Sequence, residues 1–243
     1  MKTLLTNGCS WTWGGGIDNY MSDEDRIKNV WPHHLMNLLE CDNNVNLSMG
    51  CGSNQRIVRT TLDWILKQDR ETLDNTIAVI QWSEPSRYEY YSKSTVPEQH
   101  NNWDWENHDN DWALIKAGCC IYPPGDRNHV IHKEEFHQSQ LRYNTYSDIE
   151  GLYSFITQFT ALATIFEKYN IEYYYWNALG VPVKYFPDSM KDYAFGFNWI
   201  NINHNDWYYD RVSKEDNHPN EHGHKRIAHY IFKEIQSLNN GLL

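Results

Sequence analysis

The sequence predicts an α/β domain, a three-layer α/β/α sandwich with a central parallel sheet. Two observations predict it. Short apolar runs that read as strands alternate with longer segments whose apolar residues recur at three and four, which implies a parallel sheet carrying helices on both faces. The chain, 243 residues without an internal repeat, suits one domain with a substantial core, here taken as residues 1–243.

The elements follow in order. Lys2-Thr3-Leu4-Leu5-Thr6-Asn7 opens a short buried strand over 2–8, and Gly14-Gly15-Gly16 marks a loop after it. A helix is predicted over 31–40 and a strand over 44–49. In 54–69, Ile57, Val58, Thr61, Leu62, Ile65 and Leu66 repeat with helical period, and Ser53 is placed to cap the helix. A strand over 76–82 contains Ile77-Ala78-Val79-Ile80. The strongest helix covers 151–169, with Leu152, Phe155, Ile156, Phe159, Leu162, Ala163 and Phe166 on one face. Tyr173-Tyr174-Tyr175-Trp176 lies in a strand over 172–178, aromatic and suited to a sheet. A helix over 220–238 closes the chain.

Residues 88–148 break the rhythm. Tyr88, Tyr90, Tyr91, Trp103, Trp105 and Trp112 sit among amides and carboxylates, ahead of Pro123-Pro124-Gly125, and the stretch reads as a long insertion. Rings among polar groups suit a sugar, which stacks one face and hydrogen-bonds with its hydroxyls; they also suit packing of the insertion onto the domain or a subunit contact. A second aromatic segment, Phe195 to Tyr209, offers another wall of a cleft.

Composition excludes several classes. The net charge of −11 argues against nucleic acid and anionic membranes as partners. No run of roughly eighteen apolar residues predicts a membrane span. Lys2 is followed by only Leu4-Leu5 before Asn7, far short of the apolar stretch of a leader, so no signal peptide is expected. Cys9, Cys41, Cys51, Cys119 and Cys120 form no metal or disulfide framework, which points to reduced thiols and synthesis in a cytosol, with virion association or another export route left open. His218, His222 and His224 do not match a tetrahedral zinc site, and no metal or cofactor is expected. The glycine triple has no Lys-Ser/Thr partner and predicts no P-loop.

Chemistry concentrates at the two ends. Ser10, in Gly8-Cys9-Ser10-Trp11-Thr12-Trp13-Gly14, falls at the carboxyl end of the first strand, where open α/β sheets place their ligands. Its hydroxyl is a candidate nucleophile and its N–H a candidate oxyanion donor. Asp216-Asn217-His218-Pro219 precedes the last helix, so His218 can serve as base, oriented by a carboxylate at Asp216 or Glu215.

These blocks, with Asn46-Leu47-Ser48-Met49-Gly50-Cys51-Gly52-Ser53-Asn54 and Gln81-Trp82-Ser83-Glu84-Pro85-Ser86-Arg87, resemble the SGNH (GDSL-type) hydrolases. The resemblance is particularly to divergent members whose first block reads G-C-S-x-T. The resemblance implies a flavodoxin-like fold, a serine nucleophile, a histidine base, and a Gly and an Asn in the oxyanion hole. By that resemblance Ser10, His218 and Asp216 are the catalytic set. The oxyanion hole falls on Ser10, Gly52 (or Gly50 or Cys51), Ser83 and Asn54. Trp11, Trp82 and Arg87 are candidate substrate contacts, Arg87 either for a substrate carboxylate or as the ion-pair partner of Glu84 or Glu89.

Three departures stand out. Cys9 replaces the usual Asp, the oxyanion Asn is missing with Ser83 nearest its place, and Asp216 lies two residues before the histidine rather than the family's three, the position that Glu215 holds. Loss of one oxyanion donor costs about 10²–10³ in turnover. The expected activity is ester hydrolysis through an acyl-enzyme on a small-molecule or glycan ester, with carbohydrate O-deacetylation the first substrate class and small lipid or aryl esters the competitor. The alternative is a non-catalytic glycan-binding or structural module on the same fold; an acyltransferase is a third reading.

Overall fold

A computed structural model describes residues 1–91, 112–116, 141, 145–177, 199–200 and 210–240. The expectations for Trp103, Trp105, Pro123, Pro124, Gly125, Cys119 and Cys120, and for Phe195 to Tyr209 apart from residues 199–200, lie outside them.

The first strand, β1 (Thr3–Asn7), is buried at every residue and is followed directly by a short helix, α1 (Ser10–Trp13). Helices α2 (Asp23–Asn29) and α3 (Trp31–Leu38) lead to β2 (Asn43–Asn46). Then come α4 (Asn54–Leu66), α5 (Arg70–Asp74) and β3 (Thr76–Trp82). Strands β4 (Arg87–Tyr91) and β5 (Trp112–Lys116) form an antiparallel pair of their own. The remaining elements are α6 (Asp148–Tyr169), β6 (Glu172–Asn177), β7 (Trp199–Ile200) and α7 (Glu221–Asn239).

The main sheet has the order β2-β1-β3-β6-β7, and every pairing is parallel. Its two faces carry separate apolar layers. Leu5, Ala78, Ile80 and Trp82 pack with Ile57, Phe155, Phe159 and Phe166 of α4 and α6. Leu4, Ile77, Val79, Tyr174 and Trp176 pack with Trp31, Leu35, Ile227 and Ile231 of α3 and α7. A strand buried on both faces must be apolar at successive residues, which is why 77–80 reads as one continuous run. The architecture is the predicted three-layer sandwich.

The boundaries hold with adjustments. Ser53 caps α4, its hydroxyl accepting the Arg56 N–H at 3.1 Å. Residues 10–13 form a helical turn between β1 and the glycine loop. The strand expected to run to residue 49 stops at Asn46, and residues 47–49 leave the sheet. The insertion begins as the β4–β5 pair. Trp199, expected in a cleft wall, lies in the fifth strand, its ring 6.3–6.4 Å from those of Phe155, Phe159 and Tyr175. Its aromatic surface belongs to the core.

Candidate active site

Ser10 is fixed by the transition from strand to helix. Asn7, the last residue of β1, accepts the Gly8 N–H on its side-chain oxygen at 2.8 Å and donates its amide to acceptors on α4. Cys9 caps α1 with extended backbone, so Ser10 is the first helical residue. Its N–H has no intrahelical acceptor, as at any helix start, and no acceptor among the described residues. Gln81, fully buried on the neighbouring strand, accepts from the Cys9 N–H at 3.1 Å and from the Thr12 hydroxyl at 2.8 Å. Its amide donates to the Trp82 carbonyl at 2.7 Å. A side chain of β3 thus clamps the turn that carries Ser10.

His218 arrives from the other end of the chain. The loop before α7 folds back on itself: Val212 N–H donates to the His218 carbonyl at 2.9 Å, and Asn220 N–H to the Asp210 carbonyl at 2.9 Å. The Ser213 hydroxyl accepts the N–H groups of Glu215 and Asp216 at 3.1 and 3.0 Å, making a tight serine turn. Asn220 then caps α7, accepting the Gly223 N–H at 3.0 Å.

The two ends meet. His218 Nε2 is 2.8 Å from Ser10 Oγ, and His218 Nδ1 is 2.6 Å from Asp216 Oδ1. The same carboxylate oxygen accepts the His218 main-chain N–H at 3.0 Å. A ring that donates from Nδ1 to a carboxylate presents a bare Nε2 to the serine hydroxyl, the tautomer a general base needs. Glu215 is turned elsewhere, accepting the Ser213 hydroxyl at 3.0 Å.

The glycine triple has a place here that its sequence pattern did not suggest. A β-carbon at Gly15 would stand 2.9 Å from Ser10 Cβ and 3.1 Å from His218 Nε2. Gly16 has φ +89°, and a β-carbon there would meet Asp216 Oδ2 at 3.0 Å and His218 Cβ at 3.1 Å. The loop lies against all three side chains, and only residues without side chains leave them room.

The remaining predicted site residues divide. Gly52 donates its N–H to the Met49 carbonyl at 3.1 Å, closing a turn, so it is not an open oxyanion donor. Its contribution is close approach: a β-carbon would stand 2.9 Å from the Gly8 carbonyl oxygen. Asn54 pairs with the main chain of Ser83, accepting its N–H at 2.7 Å and donating to its carbonyl at 3.0 Å. The amide therefore positions Ser83 instead of pointing at a substrate. Ser83 Oγ is fully buried without a partner among the described residues.

Trp82, expected to contact substrate, is fully buried, its ring edge-on to Phe155 and Tyr175 at 5.5 and 5.3 Å. It is a core residue. Trp11 is also buried, with its ring tilted towards His218 at 6.5 Å, and it flanks the imidazole as a wall. Arg87 lies four residues beyond Ser83, at the start of β4.

Among the described residues no cluster of His, Cys, Asp and Glu could hold a metal ion. His224 is buried, its Nδ1 accepting the Trp31 N–H at 3.3 Å. No described helix is long and apolar enough to cross a membrane. An open polar cavity of about 640 Å³, lined by Lys2, Asn75, Thr76 and Glu172 among others, lies at the amino ends of the strands, the opposite end of the sheet from Ser10.

Solved structures share this architecture. A lipolytic protein of the G-D-S-L family from Desulfitobacterium hafniense superposes with a TM-score of 0.52 at 14% identity, covering 96% of this chain and 99% of its own. The psychrotrophic esterase EstA from Pseudoalteromonas gives 0.52 at 14% identity, covering 99% and 100%. TesA gives 0.51 at 11%, covering 98% and 99%. These likenesses show the SGNH-like fold. No curated protein matches the chain in sequence. A family model matches residues 17–221, and this SGNH-fold chain belongs to that family, a family of unknown function (DUF6071).

Proposed function

We propose that the protein is a serine ester hydrolase that works through an acyl-enzyme. The observation that carries the reading is the unbroken Asp216–His218–Ser10 chain of hydrogen bonds, at 2.6 and 2.8 Å, at the carboxyl end of the sheet. The esterase and lipolytic neighbours with the same fold support the reaction class.

His218 Nε2 takes the proton of Ser10 as the hydroxyl attacks the ester carbonyl, and Asp216 stabilises the imidazolium that forms. The Ser10 N–H, without an acceptor among the described residues at the start of α1, donates to the tetrahedral oxyanion, with the N–H of Gly50 as the second donor. The buried Ser83 hydroxyl stands in for the amide that the resemblance implies, held in place by Asn54. The alcohol leaves with the proton from His218, and water then attacks the acyl-enzyme with the same histidine as base. No cofactor enters this scheme. A short acyl group on a carbohydrate remains the first substrate class, on the strength of the aromatic and acidic composition of residues 88–148.

Steady-state hydrolysis of a series of acyl esters from acetyl to octanoyl, beside acetylated sugars, tests the proposal. Turnover that vanishes in both Ser10→Ala and His218→Ala is expected. Turnover that survives Ser10→Ala sinks it, and a folded chain inert towards the whole series favours the binding module.

A further inference from the structure

We propose that Arg87 and Ser86 form a subsite for a carboxylate on the substrate, next to the ester bond; this rests on the esterase reading. The guanidinium of Arg87 is held in a nearly dry position, its side chain 12% exposed. Nε and Nη1 are buried and have no hydrogen-bond partner among the described residues. Among the described residues the nearest carboxylate oxygen, Glu84 Oε2, is 3.9 Å from Nε, beyond hydrogen-bonding distance. Glu89, the other acid close in sequence, is already taken: Arg59 grips it with two bonds of 2.8 Å.

Ser86 Oγ is buried as well, and also without a partner among the described residues. A buried cation and a buried hydroxyl left with unmet donors are costly, and such donors are met in native proteins by a partner or a ligand. The fork of a guanidinium fits a carboxylate, which can take two parallel N–H bonds while a hydroxyl donates to the same group. Glu84, 3.9 Å away, already offsets part of the cation's field, so the site takes one carboxylate through its hydrogen bonds and disfavours a dianion.

The group lies on the segment that leaves the carboxyl end of β3, the end of the sheet that carries Ser10. Ser83 through Arg87 leave the carboxyl end of β3, which pairs with β1 up to Asn7↔Ile80. Gln81 of the same strand touches Cys9, the neighbour of Ser10. Asn54, the first residue of α4, pins the Ser83 main chain from the other side. The class of substrate that follows is an ester of an acidic alcohol, such as an acylated uronic acid or hydroxy acid.

The test uses the ortho, meta and para carboxyphenyl acetates, which vary the distance from ester to carboxylate, each beside its neutral methyl ester. Arg87→Gln is expected to raise KM for at least one acid about tenfold while moving the matching neutral ester less than about twofold, and Arg87→Lys to recover part of the loss. Equal effects on acid and neutral ester, or none on either, overturn the subsite. If Arg87→Gln unfolds at a markedly lower temperature than the native chain, Ser86→Ala replaces it, with a rise in KM confined to the acids expected.

Fluorophosphonate labelling of Ser10 separates the two readings. Labelling without any carboxylate preference overturns the subsite alone. If the native chain neither labels nor turns over any ester, calorimetry with the three hydroxybenzoates decides: binding that Arg87→Gln abolishes upholds the subsite, and no binding overturns it.

Discussion

Gly15 lies against His218 so closely that a β-carbon would come within 3.1 Å of Nε2, the ring atom that faces Ser10. The same β-carbon would press on Ser10 Cβ at 2.9 Å, so one methyl group disturbs both partners of the contact. Gly15→Ala is therefore expected to reduce ester turnover about 10²-fold, the cost of a displacement on the order of 1 Å in a reacting pair. The check is kcat together with the urea midpoint: a large loss in kcat with a small loss in stability marks a displaced pair and not an unfolded chain.

Asp216 and Glu215 are separated by their contacts in the fold, although they are adjacent in sequence. Asp216 bonds to His218 through both the ring and the main chain, while Glu215 bonds to Ser213. Asp216→Asn is expected to lower kcat about 10³–10⁴-fold, because an amide donor facing Nδ1 favours the wrong tautomer. Glu215→Gln is expected to stay within about twofold of the native rate, since an exposed residue away from the ring changes little. Comparable losses in the two variants would contradict the assignment.

Gln81 supports Ser10 from the next strand. Gln81→Leu removes the acceptor shared by the Cys9 N–H and the Thr12 hydroxyl, both buried. Leaving them unmet costs about 1–3 kcal/mol each, so a lower denaturation midpoint is expected. The rate of Ser10 labelling should fall with it, which distinguishes a residue that positions the nucleophile from one that only packs.

One buried histidine, His224, and one half-buried histidine, His34, make the fold sensitive to acid. Burial, with His34 and His218 nearby, pushes His224 down to about 3 from its ordinary 6.5. Burial, Lys225 and His33 push His34 down to about 4, against a raising contribution from the Asn29 backbone. Both rings stay neutral in the folded protein while the unfolded chain takes up protons below 6.5. Their contribution is thus present in full above about pH 6.5 and is lost as pH falls through 4 towards 3. Urea midpoints from pH 7.5 to 4 should fall, and fall less steeply in His224→Gln; an equal slope in that variant would show that the histidine does not contribute.

Cys51 carries a smaller strain. It is exposed at φ +62°, a left-handed backbone that a side chain disfavours. Cys51→Gly is expected to raise stability by about 1 kcal/mol by relieving it, read as a higher urea midpoint. An unchanged or lower midpoint would mean that contacts of the side chain outweigh the backbone strain.

Much of this fold can be read from the chain because its strands are covered on both faces. Ile77 to Ile80 and Tyr173 to Trp176 are apolar or aromatic without interruption, and helices such as Leu152 to Phe166 repeat with their own period. Ser53 is legible as a cap because its chemistry is local. Strand β7 is not, since two residues carry no period. Trp82 looks like a site residue by its place beside Ser83, yet strand parity puts it with Ala78 and Ile80 on the α4–α6 face. The same parity turns Gln81 the other way, towards Cys9 and Thr12, a signal present in the sequence but easily overlooked. The role of Gly15 and Gly16 could not be read locally, because the groups they make room for come from residues 216 and 218.

The central claim is that Ser10 is an activated nucleophile, and intact-mass analysis after treatment with a fluorophosphonate tests it most directly. The account predicts a single covalent adduct on the native chain, none on Ser10→Ala, and strongly slowed labelling on His218→Ala. A folded native chain that stays unlabelled, or an adduct that persists in Ser10→Ala, would contradict it.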